Sequence, residues 1–154
     1  MTIDTKKAEE KFDAFLMIMD EQLDWLHDEA QKRDISLDMT PADLPKLEKL
    51  FDLMSQGMSK SDVSGLVVAF ARHLGEVVVQ SFGGQWLLAL DDPMNVNFDT
   101  PVIRGHSKIK DLEFAPIGVM RAYSLRRREG TLRRAVEAQI DPKPLDLSGL
   151  VENE

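Results

Sequence analysis

Apolar residues recur every three or four positions across residues 5–33, and this spacing predicts one long amphipathic helix. The stripe consists of Phe12, Phe15, Leu16, Met19, Leu23, Leu26 and Ala30. The opposite face is rich in acids, which we interpret as a solvated surface rather than a docking surface for a basic partner. Met17, Ile18 and Trp25 lie off the stripe and leave a homodimer face open as an alternative.

Two further helices are predicted before residue 83. Thr40 and Pro41 resemble an N-cap followed by a proline at the first helical position, so a second helix is expected from there to Gln56. Ser59 or Ser61 is expected to cap a third helix. That helix, over residues 62–82, is apolar on nearly every side, which is typical of a helix at the centre of a fold.

The hydrophobic period shortens after residue 84, which predicts a small antiparallel sheet of about three strands. The candidate strands are QWLLALDD, NVNFDTPVIRG and KIKDLEFAP. Pro116 is expected to open another helix, and Thr131 a short final one that ends near Ile140.

These elements predict an α+β domain in which N-terminal helices surround a central apolar helix, followed by the sheet and one or two C-terminal helices. We expect residues 1–140 to form a single globular domain, with a helical part over residues 1–60 and a helix-sheet-helix part over residues 61–140. Residues 141–154 contain two prolines and four acids and are expected to form an extended or mobile acidic tail.

Composition narrows the range of functions. The 154 residues include no cysteine, which excludes disulfides, thiolate catalysis and cysteine-ligated zinc. The N-terminal residues lack an apolar signal core, so a soluble, cytoplasmic protein without membrane association is expected. The net charge is −8, and residues 1–60 carry eight basic against 14 acidic residues. Such an acidic surface disfavours general binding to nucleic acid.

The central helix carries one polar stripe, formed by Arg72, His73, Glu76 and Gln80. Arg72 and Glu76 are four residues apart, a spacing that allows an ion pair on one helix face. We interpret the stripe as a buried polar network, because buried charges are normally paired. A ligand pocket or an acid–base role for Glu76 stays open. No metal or cofactor is expected, since the other two histidines lack a ligand spacing with His73.

The glycines at the end of this helix indicate a structural joint. Phosphate-binding glycine loops precede a helix, whereas Gly83 and Gly84 follow one. A left-handed C-terminal cap is therefore predicted, with Trp86 anchoring the next strand against the helix. The oxygen-rich residues after this strand, among them Asp91 and Asp99, lack the glycine and glutamate of a calcium loop, and a turn between strands is expected.

Basic residues are concentrated in one segment, RAYSLRRREGTLRRA. Guanidinium groups bind phosphates and carboxylates equally well, so this segment is a candidate surface for an anionic partner. Nucleic acid is disfavoured because Tyr123 is the single aromatic residue of the segment. An acidic protein, the acidic tail or plain solvation are the other interpretations. The arginines are Arg121, Arg126, Arg127, Arg128, Arg133 and Arg134.

The stretch LGEVVVQSFGGQW and the later FAPIGVMRAYSLRR resemble a family of small bacterial domains without a known activity. In that family a helix bearing Leu-Gly-Glu ends at glycine before a tryptophan, strands follow, and a proline opens the next helix. The matching residues are Leu74, Gly75, Glu76, Gly84, Trp86 and Pro116. The resemblance covers residues 63–128 and implies an architecture but no catalytic residue.

No catalytic constellation is evident in the sequence, and its acidic and basic surfaces are segregated. We therefore expect a non-enzymatic interaction or accessory protein of the bacterial cytoplasm, by analogy with immunity proteins of this size, and we expect its partner to be another protein. The alternative is a small-molecule-binding domain or enzyme with a pocket near Arg72, His73 and Glu76.

Overall fold

The computed structural model describes residues 4–140, which form an α+β fold, as predicted. The helices are α1 (Thr5–Met17), α2 (Met19–Gln31), α3 (Asp43–Met54), α4 (Lys60–Phe82), α5 (Pro116–Arg126) and α6 (Thr131–Ile140). The strands are β1 (Gln85–Leu88) and β2 (Pro101–Arg104).

The N-terminal segment forms two helices rather than the single long helix expected. The break lies at Ile18, where φ is −95° and ψ is 10°. Close to the break, the carbonyl of Phe15 accepts a hydrogen bond from Nε of Arg72 at 3.3 Å. A buried arginine of α4 therefore uses a carbonyl at the end of α1, where helix carbonyls lack partners within the helix and a cation is favoured.

The second helix begins later than expected, at Asp43 instead of near Thr40. The Asp43 carboxylate accepts hydrogen bonds from the amides of Asp38 and Met39, at 3.0 and 2.8 Å. These bonds fold the preceding segment back over the first turn of α3. The sequence pattern suggested a cap from Thr40, but its hydroxyl donates to Asp38 instead.

Helix α4 is the centre of the fold. Ser59 caps it by accepting a hydrogen bond from the amide of Asp62 at 3.1 Å, one of the two caps expected. Its apolar residues contact α2, α3 and α5, so one continuous core runs through the helices and β2. The most buried side chains of that core include Leu26, Leu47, Phe51, Phe70, Leu74, Ile103, Phe114 and Tyr123.

The sheet has two antiparallel strands among the described residues, not about three. Trp86 pairs with Ile103 and Leu87 with Val102. The third candidate strand contributes a single bridge, in which Phe114 and Ile103 exchange backbone hydrogen bonds of 2.8 and 2.9 Å. Ile109, in the same candidate segment, is 48% exposed. This bridge satisfies four backbone groups, two N–H and two C=O, but does not extend into a ladder.

Most of the predicted second strand is a turn instead. The side-chain amides of Asn95 and Asn97 both donate to Oε1 of Glu113, at 2.8 and 3.0 Å. Arg104 also donates to Glu113, so this carboxylate joins the turn to β2. The alternating polar residues Asn95 and Asn97 therefore bind the carboxylate of Glu113 instead of forming one face of a strand. The alternating pattern of the sequence did not indicate this role.

The C-terminal helices begin where the sequence predicts them. Pro116 opens α5, and Thr131 is the first residue of α6. The hydroxyl of Thr131 donates to the carbonyl of Arg128, and the amides of Gly130 and Leu132 donate to the Glu48 carboxylate at 2.9 and 3.0 Å. A glutamate of α3 thus caps α6 from a distance. The predicted acidic tail, residues 141–154, lies outside the described residues.

Candidate functional site

The four polar residues of α4 lie on one helix but contact different neighbours. Arg72 is buried, donates to the Phe15 carbonyl, and places its guanidinium carbon 4.3 Å from the centroid of the Phe15 ring. Burial lowers the pKa of Arg72 below its ordinary value. The expected Arg72–Glu76 ion pair is absent among residues 4–140, because Arg72 is turned towards α1.

Glu76 contacts the start of the sheet instead. Its Oε2 accepts a hydrogen bond from the indole Nε1 of Trp86 at 3.1 Å. Glu76 is half-buried and Gln80 is exposed. The acidic character of Glu76 is therefore explained by the joint between α4 and β1, where it accepts a hydrogen bond from the indole nitrogen of the half-buried Trp86.

Both glycines of the joint have positive φ, but Gly83, which follows the last residue of α4, does not adopt the left-handed helical conformation predicted for the cap. Gly83 has φ 89° and ψ −166°, an extended conformation accessible mainly to glycine. Its amide still donates to the Val79 carbonyl at 2.9 Å. At Gly84, a β-carbon would lie 2.6 Å from the carbonyl oxygen of Arg104. Glycine is thus required here by the close approach of β2 as well as by φ.

His73 forms the one buried ion-pairing contact of the stripe. Its Nε2 lies 2.7 Å from Oδ2 of Asp43, and both side chains are almost completely buried. Burial acts to raise the pKa of Asp43, but hydrogen bonds from His73 and from two backbone amides, with the charge of His73, hold it below its ordinary value. Asp43 is therefore a carboxylate at neutral pH.

Asp43 could not be predicted from the sequence as the partner of His73, because 30 positions separate the two residues. Asp43 is a single acidic residue between Pro41 and an apolar stripe. Such a position in a sequence does not indicate that the residue is buried or that it pairs with a histidine. The two residues come into contact only because α3 packs against α4 in the folded protein.

His73 also lines a cleft of about 580 Å³ between α2, the segment before α3, and α4. Arg72 and Glu76 do not line this cleft. The other lining residues are Asp20, Leu23, Asp24, His27, Leu37, Asp38 and Met39. The Nδ1 atom of His73 is buried and has no hydrogen-bond partner within residues 4–140.

The structure divides the six arginines of the basic segment into two groups. Arg127 donates to Asp52 and Ser55, and its guanidinium carbon lies 4.8 Å from the Phe51 ring centroid. Arg133 pairs with Glu137, and Arg134 donates to the carbonyl of Glu129. These three have intramolecular partners.

Arg121, Arg126 and Arg128 are exposed and form no salt bridge with residues in the described part of the chain. Arg121 belongs to a groove of about 470 Å³ between α4 and α5. The groove contains apolar side chains from both sides, Met58, Val63, Val67 and Leu125, and the basic side chains Lys60, Arg121 and Arg127. No acidic side chain lines it.

Within residues 4–140, no group of three or more histidine, aspartate or glutamate side chains is placed to hold a metal ion. No helix in the same range is both long and apolar enough to cross a lipid bilayer. Comparison of the chain with models of protein families, with curated proteins and with solved structures finds no match. The resemblance of residues 63–128 to a bacterial domain family stays an interpretation of the sequence.

Proposed function

We propose that this chain is a non-enzymatic interaction protein of the bacterial cytoplasm, which binds a protein partner through the groove between α4 and α5. One observation carries the proposal: apolar and basic side chains line this groove together, without an acidic one. The partner segment that fits such a surface carries acidic and apolar side chains. This mode of binding is consistent with an accessory role, in which the protein acts by covering a surface of its partner.

The apolar contribution comes from side chains that the fold leaves uncovered. Leu125 is 78% exposed and Met58 is 38% exposed, and both line the groove together with the partly buried Val63. Burial of apolar surface stabilises a complex by about 25 cal/mol per Å² before the costs of association. Met58 also lines a second depression beside Trp25 and Gly65, so the apolar surface continues towards α2.

The basic contribution selects the partner's charge. Lys60 and Arg121 lie in the groove, and Arg126 and Arg128 are exposed beyond it. A positive patch on a chain of net charge −8 attracts an acidic segment locally and repels acidic proteins elsewhere. No aromatic side chain lines the groove, which disfavours single-stranded nucleic acid because bases bind by stacking on aromatic rings.

The proposal is tested by selecting short peptides from a random displayed library against the immobilised protein. We expect the selected peptides to combine Asp or Glu with Leu, Ile or Phe. Their binding is expected to weaken at least about tenfold in Leu125→Asp and Arg121→Glu, since a charged hydrogen bond or a buried anchor contributes more than 1.4 kcal/mol.

Val96→Asp and Lys11→Glu are the matched controls. Val96 is 94% exposed and Lys11 is exposed on α1, and neither lines the groove. Peptides without acids, equal weakening by the controls, or preferential binding of DNA oligonucleotides would each contradict the proposal. So would a stable homodimer in light scattering that Leu125→Asp dissociates, because the groove would then be occupied by a second copy.

A further inference from the structure

We propose that the segment after α6, residues 141–154, folds back on the domain and places Leu145 and Leu147 in an apolar groove between α3, α6 and the end of α4. This groove has a volume of about 680 Å³. It shares no lining residue with the groove assigned to a protein partner, so the partner groove stays open when the segment binds.

The groove is lined mainly by apolar side chains that residues 4–140 leave uncovered. Pro41, Ala42 and Pro45 are exposed around the start of α3. Phe82 and Ile140 pack against the core but are only half-buried. Because apolar surface is stabilised by removal from water, an apolar occupant is favoured here.

The chain itself continues from the rim of this groove. Ile140, the last residue of α6, lines the groove, and residues 141–154 follow it directly with the sequence DPKPLDLSGLVENE. An extended chain spans about 3.3 Å per residue, so Leu145, five residues on, can reach any point within about 16 Å of Ile140. The first leucine of the segment is therefore within reach of the groove.

The order of side chains in the segment suits an extended chain lying in an apolar groove. Successive side chains of an extended chain point to opposite sides, which places Leu145 and Leu147 on one side and Asp146 on the other. The two leucines can then be buried while the carboxylate stays in water. Pro142 and Pro144 restrict the backbone before them, which lowers the entropy lost when the segment is ordered.

Covalent attachment favours this segment over a second copy of the chain as the occupant. A tether of a few residues gives the leucines an effective concentration on the order of millimolar at the groove, so weak apolar contacts are enough to fill it. Two copies with a net charge of −8 each repel one another. The charged side chains that line the groove, Arg133 and Glu137, pair with each other at 3.2 Å and do not offset this repulsion.

The experiment uses the full chain with a nitroxide spin label attached at Ser148→Cys. The label has a single site of attachment, because the chain contains no cysteine. Paramagnetic broadening of the ¹⁵N-labelled amide signals then reports which part of the domain lies near the label. We expect the strongest broadening at Ala42, Phe82 and Val136, which line the groove.

Two variants test the contact. Leu147→Asp is expected to lower the ratio of docked to undocked segment at least about tenfold, the value of one buried leucine. Ala42→Glu introduces a charge at an exposed position of the groove and is expected to reduce the broadening as well.

Val151→Asp in the segment and Ala138→Glu on α6 are the matched controls, and both are expected to keep the broadening. Ala138 is exposed and does not line the groove. Absence of broadening at the groove, or equal loss in variants and controls, would overturn the proposal. Broadening at Lys60 and Arg121 instead would also overturn it, because the segment would then occupy the partner groove.

A mixed sample separates contact within one chain from contact between two copies. It combines ¹⁵N-labelled chain without the nitroxide and unlabelled chain with it. No broadening is expected in this sample, since each segment contacts its own domain. Broadening as strong as in the singly labelled chain would place the segment of a second copy in the groove and overturn the proposal.

Discussion

The indole ring of Trp86 lies directly on the backbone of Gly75, so that a β-carbon added at residue 75 would overlap the ring. The same indole donates to Glu76, and its ring packs edge-on against Phe15 with centroids 5.2 Å apart. Gly75 and Glu76 therefore form the surface of α4 against which Trp86 of the first strand packs. The Leu-Gly-Glu motif has a structural explanation in this contact.

Gly75→Ala is expected to destabilise the protein by about 1–3 kcal/mol, the usual cost of overpacking a core. The matched control is Gly65→Ala in the same helix, where nothing lies within 4 Å of an added β-carbon. That change is expected to stabilise by about 0.5–1 kcal/mol, because alanine is the better helix former. Urea unfolding of both variants tests the pair, and equal stability would contradict the contact described for Trp86.

The sequence predicted the helices well where their causes are local. Ser59, Pro116 and the apolar stripe of α4 act through contacts a few residues away, and each marks its element correctly. The joint was also predicted, as a change from helical to strand spacing at Gly83 and Gly84. Its conformation was not, because the joint includes the close approach of the Arg104 carbonyl of β2 to Gly84, a contact between residues that are distant in the chain.

The polar contacts of the site could not be predicted in the same way. Arg72 and Glu76 have the spacing of an ion pair, but Phe15 and Trp86 compete successfully for them. His73 pairs with Asp43 from another helix. Sequence spacing identifies which polar residues share a helix face, whereas tertiary packing decides what they bond to. The charged residues of a central helix are therefore the least predictable part of this chain.

Glu48 provides the next prediction, since its carboxylate caps α6 by accepting from the amides of Gly130 and Leu132. Glu48→Gln replaces one acceptor oxygen with a donor that faces a backbone N–H. We expect a loss of about 1–3 kcal/mol in unfolding free energy, the cost of leaving a buried donor unsatisfied. Amide hydrogen exchange at Leu132 is expected to accelerate in parallel.

The control for this cap is Glu10→Gln, at an exposed position of α1. Its expected effect is within about 0.5 kcal/mol, as for most surface substitutions. If Glu48→Gln had the same small effect, or if exchange quickened throughout the protein rather than at the start of α6, the capping role of Glu48 would be wrong.

The Asp43–His73 pair predicts a dependence of stability on acid. The pKa of Asp43 is lower in the folded than in the ordinary unfolded state, so its contribution is full above about pH 4 and is lost as pH falls through the folded value. Asp43→Asn is expected to cost about 1–3 kcal/mol at neutral pH.

Urea unfolding of the wild type and Asp43→Asn between neutral and acidic pH measures this contribution as a difference, which removes the effect of the other carboxylates. The difference is expected to shrink as the pH falls below about 4. A difference that grew below about pH 4 would show that the folded pKa of Asp43 is raised rather than lowered.

The final prediction concerns Tyr123, the only tyrosine of the chain. Burial raises the pKa of its hydroxyl above the ordinary range, and the hydrogen bond to Asp52 with the nearby negative charges raises it further. Since the folded pKa is the higher one, this contribution to stability is full below about pH 10 and is lost as pH rises. The ultraviolet absorbance of tyrosinate is therefore expected to appear only as the protein unfolds in alkali.

In Asp52→Asn, tyrosinate is expected to appear at lower pH, because the carboxylate that opposes its charge is gone. Asp28→Asn, which removes an exposed charge from α2, is expected to leave the titration unchanged. Tyr123→Phe removes the signal and is expected to cost about 1 kcal/mol, the net value of one hydrogen bond. Ionisation of Tyr123 near pH 10 in a protein still folded by circular dichroism would contradict the hydrogen bond between Tyr123 of α5 and Asp52 of α3.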